Sequence, residues 1–299
     1  MIDLLVLALM RVQIAAALGV LAVLLLRLPA RWLFGPRLAY GLWMLAPTAA
    51  IAGLFPSLAD ATRTGVAAQP LGHGLALKVL LTWMVGAALL ACVMVLQEYA
   101  FRRRAARGQA GPAVMGALWP RLVLPTDFAD RFSARERELI LLHERTHIRR
   151  GDPVANLIVA GCRLVGWCNP MIHLGAALAR IDQELACDAT VLALRTDIRA
   201  DYARALLKVS HFGVASPLAC GWGTHPLVLR VGFVGKAEPS ARRQIAGYVL
   251  LPVLAIATFV GVWGLAPRGF DSLAMAPDAL YVPSAEHGWK LPKAPGPKS

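Results

Sequence analysis

Two short stretches carry the residue types from which a reactive centre can be built. One is LLHERTHIRRGD, Leu141 to Asp152; the other is RIDQELACD, Arg180 to Asp188. On an α-helix, residues four apart project from one face, one turn on. His143 and His147 can therefore direct two imidazole nitrogens at a single cation, with Glu144 beside the first. Such a pair suits zinc, and the adjacent carboxylate suits a general base acting on water at the metal. A catalytic zinc site needs a third protein ligand and one open position. Glu184 can supply that ligand. Asp188, four residues on, then suits an acceptor for the outer N–H of a ligating histidine. The plainer reading of Glu184 and Asp188 is a solvated helix face, with Arg180 as an i, i+4 partner of Glu184.

These residues need helices to hold them. Ser133 and Glu136 form a capping box, Ser-x-x-Glu, which predicts a helix from Ala134 to about Arg150 that Gly151 ends. Leu139, Ile140, Leu142 and His143 give it an apolar, site-facing stripe. Asp152-Pro153 reads as a cap and first turn, so Asp152 is expected to cap a helix rather than bind metal. The helix after it, Val154 to about Trp167, is nearly all apolar and too short for a clear span; it is expected to be buried against the metal helix. Asn169-Pro170 starts a longer helix from Met171 to about Leu194, and another covers roughly Ile198 to Phe212. Upstream, GPAVMGALWPRLVLP, Gly111 to Pro125, suggests one or two short strands. The stretch from Gly213 to Pro239 gives no clear pattern. His173, His211, His225 and Tyr202 could donate to a developing oxyanion, but each reads more simply as structural.

H-E-x-x-H followed by E-x-x-x-D resembles the gluzincin arrangement of thermolysin-like peptidases. VMGALWPRLVLP, LLHERTHIRRGD, CNP and RIDQELACD, set within a multi-span chain, resemble more specifically the BlaR/MecR-type antirepressor metallopeptidases. The resemblance covers roughly Met1 to Leu265. It implies zinc ligands His143, His147 and Glu184, with Glu144 as base, in a cytoplasm-facing domain. It also implies signal-controlled proteolysis of a cytoplasmic repressor, often with self-cleavage. Antibiotic-sensing members carry a large penicillin-binding domain after the last span. Here 34 residues follow Leu265, without S-x-x-K or K-T-G, so β-lactam acylation is not expected.

Composition sets the surroundings. Hydrophobic residues make up 57% of the 299 and charged residues only 16%, more apolar than ordinary soluble domains. Four runs are candidates to cross a bilayer: Ile2 to Leu26, Leu38 to Leu58, Leu75 to Leu96 and Ile245 to Leu265. Pro47 and Pro56 must kink or end the second. The first has no basic n-region or clear cleavage site and reads as a retained anchor. Of 31 Lys and Arg, 21 lie between Tyr99 and Gln244 against 12 acidic residues, a net +9 on that segment. Arg27, Arg31, Arg37, Arg102, Arg103, Arg104, Arg107, Arg242 and Arg243 flank the runs on one side, which marks that side as cytoplasmic. With no helix-turn-helix and no aromatic-basic interleaving, the charge points to topology and anionic lipid, not to direct nucleic-acid binding. The five cysteines contain no C-x-x-C pair and read as reduced and structural.

The expectation is a four-span α-helical membrane protein with a cytoplasmic α+β, helix-rich, gluzincin-like zinc peptidase domain. Residues 1–98 hold three spans, 99–244 the peptidase, 245–265 the fourth span and 266–299 an extracytoplasmic disordered tail. Both termini are outside the inner membrane of a bacterium. Zn2+ is the expected cofactor. The partners are the bilayer and a cytoplasmic protein such as a winged-helix repressor; a homo-oligomer is compatible with the sequence. Three alternatives stand beside this. An intramembrane site-2-type protease is disfavoured by Arg135, Arg137, Arg145, Arg149 and Arg150 around the motif. A prenyl-protease-like gluzincin shares the zinc logic, and a non-catalytic zinc scaffold would need a fully ligated site.

Overall fold

The computed structural model describes residues 2–55, 72–209, 220–221 and 227–265. It is mostly helical. Among the described residues, three helices are long and apolar enough to cross a membrane: α1 (Ile2–Leu33), α4 (His73–Ala106) and α11 (Ala241–Leu265). The second apolar run is instead a broken helix, α2 (Pro36–Gly41), a 3-10 turn (Leu42–Met44) and α3 (Leu45–Ala52). Pro47 cannot donate to the carbonyl four residues back, so the ladder tightens just before it. These pieces pack on α1 and α11, with Val23, Leu38, Leu42 and Leu45 buried against Leu251 and Leu254. The expected loop near Asp60 to Gly74 and the tail 266–299 fall almost wholly outside the described residues.

Between α4 and α11 lie β1 (Ala113–Met115), β2 (Arg121–Val123), α5 (Phe128–Arg131), α6 (Ala134–Arg150), α7 (Asp152–Val165), α8 (Pro170–Leu194), α9 (Arg199–Val209), β3 (Cys220–Gly221) and α10 (Leu227–Val234). The strands form one antiparallel sheet in the order β2-β1-β3, with Val114 opposite Leu122 on one side and Cys220 on the other. Phe128, Phe132, Leu139, Ile140, Val191, Leu192, Tyr202, Leu206 and Val234 join α5, α6, α8, α9 and α10 in one core. α6 begins where its capping box predicts. The Ser133 hydroxyl accepts from the Glu136 amide at 3.3 Å, and a Glu136 oxygen accepts from the Ser133 amide at 2.8 Å. Ser133→Ala is expected to cost about 1 kcal/mol, lowering the thermal midpoint of the purified chain by about 2–4 °C. An unchanged midpoint would show that the cap adds nothing.

The spans and the domain are joined through α8. Asp182, 1% exposed, accepts from Arg27 Nε at 2.9 Å, from Arg27 Nη2 at 3.2 Å, from Trp43 Nε1 at 2.8 Å and from Arg31. Next to it, Gln183 Nε2 donates to the Tyr40 hydroxyl at 2.9 Å. The C-terminal ends of α1 and α2 thus hold the helix that carries Glu184.

Candidate metal centre

α6 presents His143, Glu144 and His147 on its buried face, all fully buried. Gly151 ends it in the left-handed conformation, φ 73°, which a glycine adopts without steric cost. The chain turns at once into α7, and Asp152 comes back beside His147, its Oδ2 2.6 Å from Nδ1. The sequence expectation that Asp152 caps α7 is therefore corrected. Gly151 occupies the cap position, no side chain caps the helix, and the Asp152 carboxylate serves the histidine.

α8 packs across α6 and places Glu184 and Asp188 against the same two imidazoles. His143 Nε2 and His147 Nε2 lie 3.0 Å apart. Glu184 Oε2 is 3.4 Å from the first and Oε1 3.4 Å from the second. A tetrahedral zinc with bonds of about 2.0–2.1 Å separates its ligand atoms by roughly 3.3 Å, so these three residues fit the ion. Cys187 is a rival, because His143, His147 and Cys187 also offer ligand atoms within 4.8 Å of one another. The Glu184 oxygens stand 3.4 Å from each imidazole nitrogen, and the Cys187 thiol also donates to the His143 carbonyl at 3.6 Å. We therefore favour Glu184.

The outer nitrogens are held as a ligating histidine requires. His143 Nδ1 meets the Tyr202 hydroxyl at 2.8 Å and Asp188 Oδ1 at 3.3 Å. Tyr202 donates its own proton to Asp188 at 2.6 Å. Arg230, 2% exposed, clamps Asp188 from Nε at 2.8 Å and Nη2 at 2.7 Å, and reaches Glu184 Oε2 through Nη1 at 3.2 Å.

Charge accounts for the rest of the arrangement. With both imidazoles neutral, Glu184, Asp188 and Asp152 bring three negative charges against Arg230 and Arg150. Burial by itself would lower the His143 imidazole, but Cys187, Asp188 and Glu184 around it raise it to about 10. Without a cation, this surplus negative charge draws a proton; a dication would satisfy it instead. Burial works to raise Glu184, and His147 with Arg230 holds it well below the usual carboxylate range. Asp188 is likewise held low by Arg230 against its burial. Glu144 stands apart. Burial pushes its carboxyl up to about 7 despite His143 and His147, and among the described residues neither of its oxygens has a hydrogen-bond partner.

Sequence reasoning missed three contributors. From sequence Asp152 reads as a cap and Tyr202 as an oxyanion candidate that is more simply structural, while Arg230 lies in the stretch that gives no pattern. A signal for Arg230 existed, because a lone arginine inside LVLRVGFV must find a carboxylate if that segment is buried. His173 lies away from the centre, its Nε2 2.8 Å from the Trp167 carbonyl. His211 and His225 fall outside the described residues.

Comparison with known proteins gives the family. Over 98 residues the chain is 33% identical to "Regulatory protein BlaR1" of Bacillus licheniformis, covering 32% of this chain and 16% of that protein. Over 153 residues it is 26% identical to "Methicillin resistance mecR1 protein" of Staphylococcus aureus, covering 48% of this chain and 26% of that one. The Staphylococcus epidermidis protein of the same name matches equally. The chain thus matches about a quarter or less of the length of these curated relatives. A profile described as BlaR1 peptidase M56 matches residues 7–73 and 106–234, taking in α6, α8 and Arg230, and the chain belongs to that family.

Proposed function

We propose that this chain is a membrane-anchored, signal-regulated zinc endopeptidase that cleaves a cytoplasmic protein, a transcriptional repressor above all, and its own basic loops. One observation carries the reading. Two imidazoles and a carboxylate stand at zinc-ligand spacing beside Glu144, whose buried oxygens have no hydrogen-bond partner among the described residues. Of the structural readings, a closed site with Cys187 as a further ligand is the competitor, and the unpartnered Glu144 favours catalysis over it. In the proposed topology the broken helix 36–52 counts as a fourth span, the peptidase faces the cytoplasm of a bacterium and both termini lie outside.

His143, His147 and Glu184 would hold the zinc, which when bound supplies Lewis acidity toward the scissile carbonyl. Asp152, Asp188 and Tyr202 fix the imidazoles so that each Nε2 faces inward. Glu144 takes the proton of the attacking water at a carboxylate oxygen and hands it to the amide nitrogen as the C–N bond breaks. Burial of Glu144 keeps bulk water from competing for that proton.

Metal removal tests the proposal. The purified chain is expected to contain about one zinc, and to cut a winged-helix repressor encoded beside it. A chelator should abolish cutting and added zinc should restore it. Cutting that persists in zinc-free protein would overturn the proposal. Zinc-dependent cutting of unrelated membrane-associated proteins, with the repressor spared, would favour a general prenyl-protease-like role.

A further inference from the structure

The turn between α7 and α8 is tied to two long helices at matching depths. Gln13 of α1 donates from Nε2 to the Val165 carbonyl at 2.7 Å. Asn169 Nδ2 donates back to Gln13, to its carbonyl at 3.0 Å and its Oε1 at 3.3 Å. Trp83 of α4 donates from Nε1 to the same Val165 carbonyl at 3.0 Å. Trp167 packs onto Gly86 of α4 so closely that a Cβ there would lie 2.2 Å from the indole. Gln13 falls at the middle of the apolar run 2–26, and Trp83 and Gly86 near the middle of the run 75–96. Two independent helices therefore assign the turn the same depth, the midplane of whatever bilayer they cross.

We propose that α7 and the first half of α8 form a re-entrant hairpin. It enters the bilayer from the cytoplasmic side, places residues 165–169 at the midplane between α1 and α4, and turns the outer face of α7 to lipid acyl chains. The proposal rests on α1 and α4 crossing the membrane, and not on the peptidase reading.

Three further observations support it. First, α7 is two-faced. Asp152, Pro153, Asn156 and Ala160 are buried, whereas Val154, Leu157, Ile158 and Val165 are 40–49% exposed, a stripe at helical spacing that water would disfavour and lipid would not. Second, its length fits. Fourteen residues rise about 21 Å, enough to reach the middle of a hydrocarbon core of about 30 Å but not to cross it. Third, backbone groups of the turn find partners within the protein, as backbone at membrane depth must, while the buried Trp167 indole N–H has none among the described residues. The Val165 carbonyl has Gln13 and Trp83, the Trp167 carbonyl has His173 Nε2 at 2.8 Å, and the Gly166 amide donates to the Cys162 carbonyl at 2.8 Å. Between Asp152 and Arg180 the only charged residue is Arg163. It is half-buried, its Nε 3.5 Å from His173 Nδ1.

The depth has a consequence for the metal centre. Glu184 lies fifteen residues beyond Asn169 on α8, about 22 Å along its axis. With half a hydrocarbon core at about 15 Å, the ligand sits roughly 7 Å above it, among lipid headgroups. The Asp182 contacts with Arg27 and Arg31 set the same level independently.

The native cysteines test this without substitutions. Cys168 at the turn and Cys92 on α4 are exposed on the protein surface, and Cys162 on α7 is half-buried. The full chain in nanodiscs would be treated with a sulfonated, water-soluble maleimide or with a lipid-soluble one, and adducts located by mass spectrometry. The polar reagent is expected to modify Cys168 and Cys162 at least tenfold more slowly than in denatured protein, and the lipid-soluble reagent to modify Cys168 readily. Polar labelling of Cys168 at the denatured rate, with Cys92 protected, would put the hairpin in water and overturn the proposal. Equal polar labelling of Cys92 would remove the α4 span and the proposal with it. Failure of both reagents at Cys168 would place protein over it instead of lipid, which also overturns the proposal.

Discussion

Glu144→Gln is expected to reduce cleavage by about a hundred- to ten-thousand-fold, the usual worth of a positioned general base, while zinc content stays at the wild-type level. Glutamine keeps the shape of the side chain and loses its ability to take a proton. His143, His147 and Glu184 make no hydrogen bond to Glu144, whose oxygens have no such partner, so the ligand geometry has no reason to change. Nor should the fold suffer. A carboxylate buried without partners is a cost to the native state, and the neutral amide lowers it, so the thermal midpoint should hold or rise. The measurement is single-turnover cleavage together with elemental analysis of the same sample. Activity within tenfold of wild type would sink the base assignment. Lost activity accompanied by lost zinc would mean instead that the substitution disturbed the metal centre.

Asp182→Ala should be the most damaging single change outside the metal centre. It leaves Arg27 and Arg31, 8% and 6% exposed, and the Trp43 indole N–H facing no acceptor at this point. Breaking a buried pair from one side costs about 3–5 kcal/mol, a large share of a typical stability of about 5–15 kcal/mol. The thermal midpoint should fall by roughly 10 °C. Zinc occupancy should fall too, because Glu184 is half a turn further on the same helix. Asp182→Asn retains one oxygen acceptor and should fall between. A midpoint within about 2 °C of wild type for the alanine variant would show that α1 and α8 hold together without this cluster.

What the sequence made legible was local. The Ser133 capping box, the Gly151 stop and the Asn169 cap each depend on residues within four positions, and all three lie where expected; Asn169 accepts from the Met171 amide at 3.1 Å. The meeting of His143, His147 and Glu184 could be anticipated because one helical hairpin joins them. What stayed hidden was set by tertiary packing. Asp182 finds its arginines across more than 150 positions, and Arg230 finds Asp188 across 42. No spacing rule spans such distances. Asp152 was misjudged for a subtler reason. An aspartate before proline is usually a cap, but here a left-handed glycine takes that position and the carboxylate lies 2.6 Å from the His147 imidazole. The apolar face of α7 was legible as composition, but not its depth, which depends on Gln13 and Trp83.

The separation of Asp182 from Arg31, 151 positions, also orders events during synthesis. Ribosomes add about 5–20 residues per second, so α1 and its two arginines wait roughly 8–30 s before α8 emerges to meet them. Glu184 follows His147 by 37 positions, so for about the last 2–7 s of that interval both histidines exist without that carboxylate. The proposed ligand set is therefore completed only when α8 emerges to meet α1 and α6.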